Sequence, residues 1–243
     1  MMNLKLVFFI CFQLSNIYSE APVVSNISFG PIQFTSLKNG ESNKRYIWLH
    51  GDEKTAKMAI EYHISKYFGT AFLIQGEERV VRIDGLRLDP NRIFSELGVK
   101  STLLKYHPNA TKKKRMNIIS LLNKERDRFL TKLDIPNDGI LIALHNNSRG
   151  YSIDSELSKA ANYSIKSDQN RHDFFLCTDK RDFEILALSP FNVVFQQNQH
   201  KDDDGSLSRL MERKGYRYIN IEVRLGWLSQ QKRMLKYLEN NIH

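Results

Sequence analysis

The chain has 243 residues, 41% of them apolar, and carries 36 Lys and Arg against 27 Asp and Glu, a net charge of +9. That composition is globular and long enough to bury its own core, which excludes a mainly disordered or low-complexity protein. Two cysteines exclude a disulfide framework, and no internal repeat marks a solenoid.

At the N-terminus Lys5 precedes the apolar run Leu6-Val7-Phe8-Phe9-Ile10-Cys11-Phe12, and Ser19 offers a small residue at a cut site. This pattern predicts a secretory signal over residues 1–19 and a working domain over 20–243. The run is too short to cross a bilayer, which takes about 20 residues, so no membrane span is expected after removal. The expected location is secreted or periplasmic. Removal leaves Cys177 as the single thiol. Its neighbours Phe174, Phe175 and Leu176 predict a buried, inert side chain.

Residues 21–44 are mixed, with turn signals at Gly30-Pro31 and Asn39-Gly40. Residues 45–49 read as a strand and 55–67 as a helix that ends before Gly69. Residues 71–75 and 79–83 read as a strand pair, and 84–110 as loop-rich. Residues 113–132 form a long amphipathic helix, with Ile118, Leu122, Phe129 and Leu133 in helical period. Residues 139–144 are a fully apolar strand, and 148–171 a polar surface excursion. Strands follow at 174–177 and 192–196, with a helix over 181–188 between them. A helix over 207–214 stops at Gly215, a strand with alternating Ile219, Ile221 and Val223 covers 218–223, and a helix over 230–240 closes the chain. Alternating strands and helices with continuous apolar strands predict a single α/β domain, its mixed, largely parallel sheet flanked by helices.

Excess positive charge favours anionic partners. The basic residues are dispersed, and the one dense run, Lys112-Lys113-Lys114-Arg115, reads as a solvated helix face. No interleaving of basic and aromatic residues marks a nucleic-acid motif, so no nucleic acid is expected.

The chemistry concentrates elsewhere. His50-Gly51-Asp52-Glu53 links the strand over 45–49 to the helix that follows. Residues three apart on a starting helix share a face, so an imidazole and a carboxylate can hold one divalent metal, zinc by donor type. His145 ends the apolar strand over 139–144. Alone it reads as a satisfied polar residue at a strand end; with His50 and Glu53 it completes a three-ligand set that leaves a position open. Asn91 and Arg92, in Asp89-Pro90-Asn91-Arg92, supply an amide donor and a planar fork suited to a carboxylate, or else a surface turn. Glu222 lies inside an apolar strand, where a carboxylate must be paired or functional. It is a general base or the partner of an arginine such as Arg224.

In order along the chain, His50-Gly51-Asp52-Glu53, Asp89-Pro90-Asn91-Arg92-Ile93-Phe94, Ala143-Leu144-His145-Asn146 and Ile221-Glu222-Val223-Arg224 resemble the motifs of the zinc carboxypeptidase superfamily. That superfamily includes the aspartoacylase and succinylglutamate desuccinylase branch. The resemblance spans residues 45–226. It implies one zinc ion held by His50, Glu53 and His145, a substrate carboxylate gripped by Asn91 and Arg92, and Glu222 as the general base. It also implies an upstream arginine that polarises the scissile carbonyl: Arg82, with Arg79 and Arg87 as rivals. The family's tyrosine before the glutamate has no counterpart at that spacing, since Tyr216 and Tyr218 stand too close to Glu222; Tyr151 is the remaining candidate.

The expected activity is therefore zinc-dependent hydrolysis of a terminal amide or peptide bond next to a free carboxylate. Export and positive charge point to the stem peptides of an anionic bacterial cell wall. The sequon Asn146-Asn147-Ser148 beside a proposed ligand sits poorly with a eukaryotic secretory route. Two alternatives stand beside this: an N-acyl-amino-acid deacylase, and a non-catalytic protein on the same fold that binds anionic polymer by its charge.

Overall fold

The structure is a computed structural model that describes residues 21–147, 150–197 and 203–243; the signal expected over 1–19 lies outside the described residues. The described residues open with a hairpin, β1 (Val23–Phe29) and β2 (Ile32–Asn39), followed by β3 (Lys44–Trp48), α1 (Lys54–Ile64) and β4 (Gly69–Ile74). A small hairpin, β5 (Val81–Ile83) and β6 (Leu86–Leu88), leads through a 3-10 turn (Pro90–Arg92) to α2 (Glu96–Tyr106) and α3 (Lys112–Leu133). Next come β7 (Ile140–Asn147), α4 (Asp154–Leu157), β8 (Asn162–Ser164), β9 (Phe174–Cys177), α5 (Lys180–Ala187) and β10 (Asn192–Phe195). The chain closes with α6 (Leu207–Lys214), β11 (Arg217–Arg224) and α7 (Leu228–Asn241).

Among the described residues nine strands form one sheet in the order β1-β2-β4-β3-β7-β11-β9-β10-β8. The central block β4-β3-β7-β11 is parallel, and the direction reverses at β2–β4 and at β11–β9. This is the expected mixed α/β sheet. Its centre is parallel because β7 is buried along its whole length, which requires cover on both faces. Helices α1 and α7 pack on each other, on β7 and on β11 respectively, while α3 packs on β1 and α6 on β11. Helix α3 buries Ile118, Ile119, Leu122, Phe129 and Leu133. Its Phe129 ring lies 5.0 Å from Phe29 and 5.1 Å from Phe34, so one helix face clamps the β1–β2 hairpin. Each such aromatic pair contributes about 0.5–1.5 kcal/mol beyond its buried area.

Four stretches differ from expectation, one of them the surface excursion read over 148–171, whose described part holds α4 and the edge strand β8, paired with β10. Residues 21–44 hold a regular hairpin whose outer strand shows little alternation because β1 is an edge strand with its first four residues exposed. Residues 79–83 do not pair with 71–75: β4 sits between β2 and β3, and β5 pairs only with β6. The loop-rich 84–110 contains α2, whose inner face is Gly98, Val99, Thr102 and Leu103. Two of those four are not apolar, so the helical period is faint. The legible signal was its cap: Ser95 Oγ accepts from the Gly98 amide at 3.0 Å.

Candidate metal centre and active-site cavity

The parallel strands deliver the polar residues to their carboxyl ends, where open α/β sheets place ligands. In the parallel register of β7 and β11, Glu222 stands directly beside His145. Strand β3 pairs with β7 through Ile47 and Ala143, so the chain leaving β3 carries His50 to the same edge. Glu53 ends that turn as the cap residue of α1, and its backbone carbonyl is held by Trp48 Nε1 at 3.0 Å. The Glu53 side chain does not cap the helix. Asn146 does this from β7, with Oδ1 accepting from the Ala56 amide at 2.7 Å. Asn146 is buried, and its amide nitrogen donates to Gln231, so this sequon asparagine is internal.

Gly51 makes the turn possible. A Cβ there would lie 2.6–2.8 Å from backbone atoms of Gly76, Glu77 and Glu78, and the Gly51 amide donates to the Glu78 carbonyl at 3.0 Å. That close approach carries Arg79 to the centre.

His50, Glu53 and His145 are all buried, and one donor atom from each lies within 4.8 Å of the others. The Glu53 carboxylate spans the two imidazoles: Oε1 is 2.9 Å from His50 Nδ1, and Oε2 is 3.0 Å from His145 Nδ1. Asp89 Oδ1 lies 2.9 Å from His50 Nε2 and accepts the Asn91 amide at 2.8 Å. A ring that gives its Nε2 hydrogen to Asp89 presents the Nδ1 lone pair to the centre, the usual arrangement of an oriented metal ligand. Arg79 Nη1 reaches Glu53 Oε1 at 2.9 Å.

In mutual contact, Glu53, Asp89 and His50 favour their charged forms. Burial would raise the Glu53 carboxyl, but the charges of His145 and His50 outweigh it and hold the group well below the usual carboxylate range. Burial would depress His50; Glu53 and Asp89 reverse this and hold it up at about 9. Burial likewise opposes ionisation of Asp89, and its hydrogen bond to His50 wins, leaving it at about 2. Glu222 shows the opposite outcome: burial pushes it up, Glu53 adds to that, and His145 and Asn220 only partly offset it.

These residues fit a divalent cation. Two imidazoles and a carboxylate are the donor set of a catalytic zinc site. His145 Nε2 and Asn220 Oδ1 are buried without a hydrogen-bond partner. Leaving such an atom unpaired costs about 1–3 kcal/mol, and donor atoms of His50, Glu53 and His145 lie within 4.8 Å of one another, close enough to share one cation.

The centre opens into a cavity of about 510 Å³ lined by His50, Glu53, Arg79, Asn91, Arg92, His145 and Glu222, among others. Asn91 Oδ1 accepts from the Leu207 amide at 3.0 Å, which leaves its amide nitrogen as a donor. Arg92 lies 3.6 Å from Asp204. Glu222 Oε1 accepts from Asn220 Nδ2 at 3.0 Å. It does not pair with Arg224, which forks onto Asp173 at 2.8 Å.

Arg82 is not in this assembly. In the β5–β6 hairpin Val81 and Ile83 alternate with it, so its side chain projects to solvent, 3.6 Å from Glu78. Arg87 lies over the Tyr106 ring, away from the cavity. Of the three arginines only Arg79 lines it. Tyr151 lines the cavity too, donating to Glu156 at 2.8 Å. Several lining residues escaped the sequence reading. Asp89 was visible in its motif but reads as a turn residue. Asn220 was accessible by alternation from Glu222. Arg209 and Lys159 carried no local signal. Cys177 is buried, and burial pushes its thiol well up, as an inert side chain requires.

No family model matches the chain, and no curated protein matches it. Among solved structures it is similar to a succinylglutamate desuccinylase/aspartoacylase from Rhodobacter sphaeroides, with 16% identity and a TM-score of 0.41, over 86% of this chain and 58% of that one. It is similar to a succinylglutamate desuccinylase from Silicibacter sp. TM1040, with 16% identity and a TM-score of 0.45, over 86% and 60%. It is also similar to the ectoine utilization protein EutE (DoeB) from Ruegeria pomeroyi, with 14% identity and a TM-score of 0.45, over 86% and 60%. The chain thus spans 58–60% of the length of these structures.

Proposed function

We propose that this protein is a zinc-dependent hydrolase that cleaves an amide bond next to a free carboxylate, with a small N-acyl amino acid as its substrate class. The observation that carries this is the convergence of His50, Glu53 and His145 within 4.8 Å, with a buried Glu222 beside His145 in register. Bound zinc supplies Lewis acidity and lowers the pKa of water in the site.

The chain's own residues do the rest. Asp89 holds the His50 ring in the orientation that turns Nδ1 inward. Glu222 takes a proton from the attacking water and hands it to the leaving nitrogen; its raised affinity for a proton suits both steps. Arg79, anchored on Glu53, presents its guanidinium to the oxyanion that develops on the scissile carbonyl. Asn91 and Arg92 hold the substrate carboxylate, so that only the adjacent amide reaches the centre. Arg209, buried against Glu212 at 3.1 Å, and Lys159 also line the cavity. A wall of this kind favours a small polar or anionic acyl group over an apolar one.

The cell-wall peptide substrate is the larger alternative. Hydrolysis of N-acetyl and N-succinyl amino acids, assayed beside muropeptides with mass readout and with metal content measured in parallel, decides between them. Cleavage of the acyl amino acids by zinc-loaded protein is expected; cleavage of muropeptides alone rejects the acyl-amino-acid reading, and no cleavage of either rejects the hydrolase. Secretion by the segment 1–19 is part of the same proposal, checked by N-terminal sequencing of exported protein.

A further inference from the structure

One face of the molecule outside the cavity combines exposed apolar side chains with lysines that form no ion pair among the described residues. On α1, Met58 and Tyr62 stand one turn apart and are 54% and 45% exposed. The turn after β11 carries Leu225 and Trp227, each 50% exposed. It is fixed to the first turn of α1, where Thr55 Oγ1 accepts from the Gly226 amide at 2.9 Å. The Arg224 guanidinium, held by Asp173, stacks 3.7 Å from the Trp227 ring and sets its orientation. Helix α7 packs on α1, and Lys232 Nζ sits 3.5 Å above the Tyr62 ring. Lys236 follows one turn later, and Lys66 approaches the same tyrosine at 5.7 Å. Among the described residues, Lys66, Lys232 and Lys236 form no ion pair, whereas Lys54 and Lys57 at the start of α1 are matched by Glu77 and Glu61.

From this combination we propose that the α1–α7 face docks the protein on an anionic lipid surface. Lysines near such a surface gain from its negative potential, and tryptophan and tyrosine favour the headgroup level. Met58 and Leu225 separate this from nucleic-acid recognition. Aliphatic side chains gain by entering the acyl boundary and gain little on phosphates or stacked bases. The face adjoins the cavity, since α1 begins directly after Glu53 and β11 ends two residues past Glu222. The inference does not depend on the reaction proposed above.

The test uses the full chain with phosphatidylglycerol-containing and pure phosphatidylcholine vesicles, by co-sedimentation and tryptophan emission. Salt-sensitive binding to the anionic vesicles is expected, with a blue shift that disappears in Trp227→Phe, because Trp48 is already buried. The double variant Lys232→Glu/Lys236→Glu is expected to bind about tenfold or more weakly. Leu225→Ala should weaken binding without moving the thermal midpoint, since the side chain is exposed. Absence of binding at low salt, binding without a shift of Trp227, or equal binding by the lysine variant overturns the proposal. Capture of duplex DNA or dextran sulfate that is indifferent to Trp227→Ala and Leu225→Ala, with no preference for vesicles, assigns the face to a soluble polyanion and also overturns it.

Discussion

Two clusters of the same residue types occupy opposite ends of the sheet, and their difference separates a candidate site from a support. At the amino ends of the parallel strands, His63 Nε2 lies 3.1 Å from the Tyr46 hydroxyl and 3.3 Å from Glu239, and Lys44 reaches Glu239 at 3.2 Å. One ammonium balances one carboxylate, the imidazole has its partners, and α7 is tied to β3 and α1. At the carboxyl ends, two imidazoles share one carboxylate, a neighbouring carboxylate is raised by burial, and two buried polar atoms have no partner. Histidine and glutamate in the interior do not by themselves signal chemistry. What signals it is donor atoms converging on a common point beside a cavity, with pairing left incomplete.

The sharpest break in this contrast is His145→Ala. Removing one of three donors should abolish stoichiometric zinc and turnover together, while His63→Ala should leave metal content unchanged; elemental analysis of the two purified variants checks this. Next is Glu222→Gln, expected to keep zinc and to lose about 10²–10⁴-fold in kcat. Wild-type turnover in this variant would remove Glu222 from the mechanism. A base at Glu222 would work as the carboxylate, and burial raises the affinity of this group for a proton above the ordinary value of 4.5. Activity should therefore climb with pH as Glu222 loses its proton, measured as kcat/KM.

Smaller effects probe the supports. Asp89→Asn, which weakens the orientation of His50, should lower zinc affinity about 10–100-fold, read by competition with a chelator. At the opposite end, Glu239→Gln leaves Lys44 buried without its carboxylate and should destabilise the fold by about 1–3 kcal/mol with zinc binding intact. Burial works to raise Glu239, and His63 and Lys44 win, so its folded-state pKa is lowered from 4.5. Its contribution is fully present above 4.5 and lost as pH falls through the lowered value. Denaturation midpoints of wild type and Glu239→Gln should then converge in acid; a gap independent of pH would reject the ion-pair account.

Local order along the chain was enough to find much of this protein. A continuous apolar strand with a histidine at its end, an imidazole and a carboxylate three residues apart across a strand–helix turn, and a glutamate on the alternating face of an apolar strand all follow from periodicity, and periodicity is a local property. Tertiary packing decided the rest. Arg79, rather than Arg82, meets Glu53 because Gly51 lets the 76–78 backbone come within side-chain reach, a contact between segments about 25 residues apart. Arg224 is taken by Asp173, which leaves Glu222 free of an arginine. The apposition of Glu222 and His145 is set by a strand register across 77 residues of chain. Sequence alone names the groups that must be satisfied in the interior; only the packed structure decides which partner each one meets, because partners are chosen by distance in space and not along the chain.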